Sequence, residues 1–177
     1  IVAFDLSWPL LREADNIEHN GTRIKYIIAN AEILPFKEDS FDLVYGNAIL
    51  HHLNISVALR EINKVLKKGG RAVFSEPNML NPQIMIQKNI SFVKRFMGDT
   101  PYETAFFRWK IKRIFLEQGF TEVKVMPYDF LHPLVPARWV PLAESIGLFL
   151  EKIPLLKEIS GSLLIIAHKA NEKKENN

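Results

Sequence analysis

The sequence contains no cysteine, which excludes disulfide bonds and thiolate metal sites and leaves the redox compartment open. No apolar run reaches the roughly 20 residues that a membrane-spanning helix needs. Basic residues exceed acidic ones only by 23 to 20, without the basic stripe and interleaved aromatics of a nucleic-acid groove. No spacing of His and acidic residues indicates a metal site. These absences favour a soluble, cytoplasmic protein that binds no nucleic acid and no metal.

The length of 177 residues and a hydrophobic content of 47% predict one domain with a substantial core. Apolar runs that end in polar or small residues predict strands over residues 1–5, 24–29, 41–45, 71–76, 122–129 and 161–168. Helical periodicity predicts helices over 55–68 and 104–118, with Gly69 and Gly119 as their terminating residues. Alternating strands and helices predict an α/β fold.

Polar residues follow two neighbouring apolar runs near the start of the chain. Asp5 ends the first run and Asn30 follows the next. In α/β sheets ligands bind at the carboxyl ends of the strands. A carboxylate can accept from both hydroxyls of a ribose, and an amide oxygen can accept from the amino group of adenine. The structural alternatives are a helix-capping or surface acid for Asp5 and a turn-forming role for Asn30.

Five segments then appear in one order: Asp-Leu-Ser at 5–7, Asn-Ala-Glu-Ile-Leu-Pro-Phe at 30–36, Ser-Phe-Asp-Leu-Val at 40–44, Leu-His-His-Leu at 50–53 and Ala-Leu-Arg-Glu-Ile-Asn-Lys-Val-Leu-Lys-Lys-Gly-Gly at 58–70. In this order they resemble the class I S-adenosylmethionine-dependent methyltransferases, specifically the type 11 branch. The resemblance is strong over residues 1–76 and continues weakly to the end of the last predicted strand.

The resemblance implies a Rossmann-like, doubly wound, mostly parallel sheet with strand order 3-2-1-4-5-7-6. The first strand and the glycine-rich loop of the family would precede Ile1, so we expect residues 1–168 to form a methyltransferase domain without that strand and loop, which by itself binds the cofactor poorly. Its two neighbours would then lie about 9–10 Å apart, twice the usual strand spacing. We expect lid or insertion helices in 84–101 and 131–160, and a disordered tail in 169–177.

By the same resemblance the cofactor is S-adenosyl-L-methionine. Asp5 would bind the ribose diol and Asn30–Ala31 the adenine, and Glu32 is a further predicted cofactor-binding residue. Gly46 and Asn47 would lie beside the methionine moiety. The family usually has Asp where this chain has Asn30, and the amide can still accept from the adenine amino group.

Methyl transfer from a sulfonium is an in-line displacement, so catalysis rests mostly on positioning. A base is needed only when the acceptor atom is protonated. We predict His52 as the catalytic residue, with His51 and Glu76 as further candidates near the crevice. The structural alternative for both histidines is packing or helix capping.

The predicted acceptor is a small molecule or a lipid-linked compound, shielded by the apolar segments 84–97 and 142–153. The alternative for these segments is a peripheral membrane interface, which Lys88, Lys94 and Arg95 would support. A non-catalytic, methyltransferase-like binding module is the first rival function. A nicotinamide-dependent oxidoreductase is the second, and the 30–36 segment and the lack of a Tyr-x-x-x-Lys pattern weigh against it. The sequence leaves the oligomeric state and the methylated atom open.

Overall fold

The computed structural model describes residues 1–17, 21–96, 104–132 and 135–171. The strands are β1 (Val2–Asp5), β2 (Lys25–Ile28), β3 (Phe41–Asn47), β4 (Leu66–Pro77), β5 (Phe120–Tyr128) and β6 (Ser162–Lys169). The helices are α1 (Trp8–Asp15), α2 (Ile55–Val65), α3 (Pro82–Asn89), α4 (Ser91–Phe96), α5 (Arg108–Glu117), α6 (Val140–Leu150) and α7 (Pro154–Lys157). Short 3-10 turns lie at Leu50–His52 and Ala137–Trp139.

The strands form two sheets, so the fold is α/β as predicted. In the first, β1 pairs in parallel with β2; the second has the order β3-β4-β6-β5. β3 and β4 are parallel, while β6 runs antiparallel to both β4 and β5, so that β4 and β5 point the same way. The described residues form no ladder between β1 and β3. An apolar groove separates these two strands, lined by Val2 and Phe4 on one side and Leu43 and Val44 on the other.

The connection from α2 to β4 differs from the prediction. The helix ends at Val65, and the residues expected to form its last turn already belong to β4. Gly69 has a φ of +71°, as predicted, but it lies in a bulge of β4 and does not terminate the helix. At Gly70 a Cβ atom would lie 2.7 Å from the Lys67 carbonyl oxygen, so the bulge requires glycine there. The helix predicted from periodicity over 55–68 therefore extends past the observed end at Val65.

The other predicted elements shift by a few residues. α5 begins at Arg108 instead of residue 104, and Gly119 follows its end with a φ of +83°. α3 and α4 lie in the first predicted lid segment, and α6 and α7 lie in the second. β6 includes Lys169, one residue of the predicted tail. Residues 97–101, 133–134 and 172–177 of these segments lie outside the described residues.

The main core lies between α2, α5 and the second sheet. α2 begins after Asn54, whose side chain accepts from the Val57 N–H, and it turns one apolar face inward. Fully buried side chains come from both helices and from β6: Leu59, Ile111, Phe115, Leu163 and Ile165. Burying a side chain of this size stabilises the fold by about 1.5–3 kcal/mol. This packing holds the carboxyl ends of β3 and β4 against the start of α2.

Candidate active site

Asp5 and the turn after β2 lie at the same edge of the first sheet. Asp5 is the register partner of Ile28, and the Ala29 N–H donates to the Asp5 carbonyl at 3.2 Å. Asn30 is therefore the second residue beyond the end of this parallel ladder. The structure places Asp5, Asn30 and Ala31 together, and Glu32 follows directly.

The Asp5 side chain also has a structural role. Its Oδ1 accepts from the Ser7 N–H at 2.7 Å, and Ser7 is the N-cap of α1. An ionised carboxylate offers about four lone-pair sites, so this bond leaves acceptor capacity for a pair of hydroxyls. The carboxylate is half-buried at the strand end. Its chemistry fits a ribose diol while it orders the start of the helix.

Asn30 forms the turn that the structural alternative predicted. Its Oδ1 accepts from the Glu32 N–H at 2.9 Å, and its carbonyl accepts from the Ile33 N–H at 3.0 Å. An asparagine that bonds to the backbone two residues later is typical of such turns. One of the two lone pairs of the oxygen proposed for adenine is thus already engaged within the turn.

The turn is bonded to α2 at two points. Glu32 Oε1 accepts from the Asn54 N–H at 2.6 Å, and Glu61 Oε2 accepts from the Leu34 N–H at 3.0 Å. Sequence reasoning placed Glu32 near the ligand but predicted neither its partner nor a role for Glu61. No local pattern marks either bond, since each joins residues more than 20 positions apart.

At the end of β3, Gly46 and Asn47 lie opposite Phe74 and Ser75 of β4. A Cβ atom on Gly46 would lie 2.5 Å from the Phe74 ring, so packing alone requires glycine at this position. Asn47 is exposed, and Ala48 follows with a φ of +51°. The strand therefore ends in a sharply turned backbone beside the exposed Asn47.

A buried carboxylate organises the loop between β3 and α2. Both oxygens of Glu76 are bonded: Oε1 accepts from the N–H groups of Ile49 (3.0 Å) and Leu50 (2.7 Å), and Oε2 lies 2.8 Å from His51 Nδ1. The Glu76 side chain is 0% exposed and that of His51 7%. In the His51 tautomer with its proton on Nδ1, all three groups around the carboxyl donate to it. These hydrogen bonds compensate for the burial of a polar side chain.

His52, the predicted catalytic residue, is exposed. Its ring lies 4.0 Å from that of His51, centroid to centroid. The buried pair of His51 and Glu76 thus lies directly behind it. Sequence reasoning named all three side chains but did not predict that two of them bond to each other.

Among the described residues, no group of three His, Cys, Asp or Glu side chains is placed to hold a metal ion. The helices of that same part of the chain are all too short or too polar to cross a membrane. The candidate site consists of the hydrogen-bonding groups at the strand ends.

Comparison with known proteins relates the first part of the chain to one family. Residues 1–74 match the family model described as "Methyltransferase domain". The chain is 42% identical over 79 residues to an uncharacterized protein of Methanocaldococcus jannaschii, covering 44% of this chain and 31% of that one. It is 36% identical over 84 residues to the ubiquinone/menaquinone biosynthesis C-methyltransferase UbiE of Hahella chejuensis, covering 44% and 34%. The chain thus spans about a third of the length of these relatives.

The fold agrees with the sequence match. The crystal structure of a SAM-dependent methyltransferase from Thermotoga maritima, described as a possible histamine N-methyltransferase, aligns with a TM-score of 0.67. The alignment has 19% identity and covers 95% of this chain and 72% of that one. Residues 1–74 thus match the methyltransferase family that the motifs predicted, and the chain shares the fold of the Thermotoga methyltransferase. S-adenosyl-L-methionine is accordingly the implied cofactor.

Proposed function

We propose that the protein transfers a methyl group from S-adenosyl-L-methionine to a small-molecule or lipid-linked acceptor by in-line displacement. The observation that supports this most directly is the placement of Asp5 beside the Asn30 turn, at adjacent ends of two parallel strands. Such an edge is where α/β folds bind nucleotides. These polar groups fit the adenosine half of the cofactor, since the carboxylate can accept from the ribose hydroxyls and the amide groups can pair with a base.

We assign the binding roles by position. Asp5 binds the ribose hydroxyls, and Asn30, Ala31 and Glu32 form the adenine side of the site. Gly46 and Asn47 lie on the methionine side, at the end of β3. Asn47 is exposed there, so its amide is accessible to a ligand.

When bound, the cofactor supplies an electrophilic methyl group on a sulfonium. For an acceptor whose reacting atom carries a proton, we assign the proton acceptor to His52. His51 acts behind it as a positioning residue, because its ring contacts that of His52 and its Nδ1 is held by Glu76. For an acceptor without such a proton, orientation alone is sufficient.

An apolar surface supports a small apolar or lipid-linked acceptor. Along α6 and the turn before it, Trp139, Leu142, Ile146 and Phe149 are each at least half exposed. Their spacing puts them on one stripe of the helix. The opposite side is packed, with Gly147 against Phe130. The named activities of UbiE and of the Thermotoga protein concern carbon and nitrogen acceptors respectively, so the methylated atom needs a direct acceptor screen.

Calorimetric titration of S-adenosylhomocysteine into the chain tests the proposal. We expect weak but saturable binding to the native chain, and binding more than about tenfold weaker still in Asp5→Ala, because hydrogen bonds to a charged acceptor are lost. Asp15→Ala is the matched control, since Asp15 is an exposed aspartate at the far end of α1. The control should bind like the native chain.

The outcomes separate the candidate functions. Saturable binding that Asp5→Ala weakens leads to a screen with radiolabelled methyl donor and phenol, amine and quinone-precursor acceptors. Equal binding by native protein and Asp5→Ala contradicts the assignment of the ribose site. Absence of binding by correctly folded protein, repeated with a longer chain that carries the upstream strand and glycine-rich loop of the family, contradicts the proposed function and favours a non-catalytic, methyltransferase-like module.

A further inference from the structure

The turn after β2 and the helix α2 hold each other through two carboxylates. Glu61, in the middle of α2, accepts from the Leu34 N–H at 3.0 Å. Glu32, in the turn, accepts at 2.6 Å from the N–H of Asn54, the N-cap of that helix. The two bonds therefore connect the same pair of elements in opposite directions. One acceptor is supplied by the helix and the other by the turn.

Neither bond is needed to shape the turn or to start the helix. The turn is already closed by the two bonds from Asn30 to the N–H groups of Glu32 and Ile33. The helix already has a cap, because the Asn54 side chain accepts from the Val57 N–H. What the two carboxylates add is the location of the turn relative to the helix.

The environment of the Glu61 bond favours a positional role. Leu34 is only 7% exposed and belongs to the main core, together with Leu59 and Ile62 of α2. Its side chain is thus fixed by packing, and its N–H is fixed by a half-buried carboxylate. A hydrogen bond to an ionised acceptor is shorter and stronger than a neutral one, and low local polarity strengthens it further.

We propose that Glu61 is a positioning residue for the ligand-binding turn, and that Glu32 provides a second hydrogen bond that fixes the turn to α2. The inference rests on the proposed function, in which Asn30 and Ala31 meet the adenine. A turn held at both points keeps its amide groups in place before the ligand arrives. Ligand binding then costs less ordering of the loop, which raises affinity without any contact between Glu61 and the ligand.

Two substitutions at one position test this. Glu61→Gln keeps a carbonyl oxygen that can accept from Leu34, whereas Glu61→Leu has a similar size and no acceptor. We expect Glu61→Leu to bind S-adenosylhomocysteine about five- to tenfold more weakly, and Glu61→Gln to stay within about twofold of the native chain. Methylthioadenosine shares the adenosine part and lacks the amino acid, so it should weaken by the same factor. Glu117→Leu, on the exposed side of α5, is the control and should change neither affinity.

Hydrogen exchange of the Leu34 amide gives a readout that does not depend on the ligand. The amide should exchange faster in Glu61→Leu and remain protected in Glu61→Gln and Glu117→Leu. Native exchange in Glu61→Leu, or fast exchange with unchanged affinity, would overturn the proposal. A weakening confined to S-adenosylhomocysteine would also overturn it, because it would place the effect at the methionine end.

The failure of the proposed function would look different. If the native chain binds neither ligand, the assignment of the cofactor site is wrong, while Leu34 exchange still decides whether Glu61 holds the turn. If circular dichroism shows that Glu61→Leu does not fold, Glu32→Ala removes the other hydrogen bond between the turn and α2. In that variant the Asn54 amide should lose protection from exchange. Unchanged exchange of Asn54 would contradict the role of Glu32 in fixing the turn.

Discussion

The side-chain amide of Asn30 closes a turn in the structure, and the proposed function also requires it to bind adenine. Its oxygen accepts from the Glu32 N–H and so closes the turn. The other end of the amide is an NH2 group, which only donates. The amino group of adenine needs an acceptor, so the carboxylate usual in the family that these motifs resemble has an advantage here. One of its oxygens can close the turn while the other accepts from the base.

We therefore predict that Asn30→Asp binds S-adenosylhomocysteine about five- to tenfold more tightly than the native chain, because it gains a charged acceptor for the base. Asn30→Ala loses the turn as well and should bind more weakly than the native chain. Calorimetry measures both. Asn16→Asp, which adds the same charge at the exposed end of α1, controls for net charge and should leave the affinity unchanged. Equal affinities of Asn30→Asp and native protein would contradict the inference that the hydrogen bond to Glu32 limits how well Asn30 accepts from adenine.

The residues of the site were predictable to different degrees. Asp5 and Asn30 follow apolar runs, and that local pattern was sufficient to predict their shared edge. The bond between His51 and Glu76 was not predictable, because it depends on the register that sets Asn47 opposite Ser75. A one-residue slip of that register would turn Glu76 to the other face of the sheet.

At the scale of elements, the end of α2 is held by a residue from the opposite end of the chain. Lys169 Nζ, at the end of β6, donates to the carbonyls of Leu66 (2.7 Å) and Lys64 (3.3 Å). It also donates to Asp39 Oδ1 at 2.8 Å. A cation at the carboxyl end of a helix is favourable because the last carbonyls lack partners within the helix. Lys169, and not a helix-terminating glycine, thus provides hydrogen bonds to the carbonyls at the end of α2.

The hydrogen bond from Lys169 lowers the pKa of Asp39 below its ordinary value, and the charges of Lys169 and Lys68 lower it further. A carboxyl whose pKa is lower in the folded state stabilises the fold above its unfolded pKa, about 3.9 for aspartate. That stabilisation is lost as pH falls through the folded pKa.

We predict that Asp39→Asn melts at a lower temperature than the native chain at neutral pH, and that this difference disappears as pH falls well below about 3.9. Asparagine suits the φ of +52° at this position, so the change tests the charge and not the backbone. Thermal melts at several pH values measure the difference. Asp15→Asn, at an exposed site, should show little difference at any pH. A pH-independent difference for Asp39→Asn would exclude the ion pair as its cause.

At the scale of the whole molecule, the two sheets differ in strand number and in how much of the core packs against them. The second sheet has its β4 and β6 strands paired on both sides and packs on α2 and α5. The first has only β1 and β2, and a two-stranded sheet is marginal in water by itself. Ring contacts link it to the rest: Phe36 lies 6.0 Å from Phe4 and 4.9 Å from Phe41, centroid to centroid.

We therefore predict that amides of the β1–β2 ladder exchange with solvent more than about tenfold faster than those of β6, because local opening there breaks fewer buried contacts. Ala29, which donates to Asp5, and Ala167 in the centre of β6 are matched in residue type. Exchange followed by NMR compares them directly. Equal protection of the two alanines would show that the sheets unfold as one unit.

The sequence by itself determined the α/β class of the fold, the approximate strands and the polar residues at their ends. These follow from local patterns, chiefly apolar runs that end in polar or small residues and helical periodicity. Only the tertiary structure decided which groups meet. The bonds Glu76–His51, Glu61–Leu34 and Lys169–Asp39 join residues 25, 27 and 130 positions apart. Their formation depends on strand register and helix packing, which no local pattern encodes.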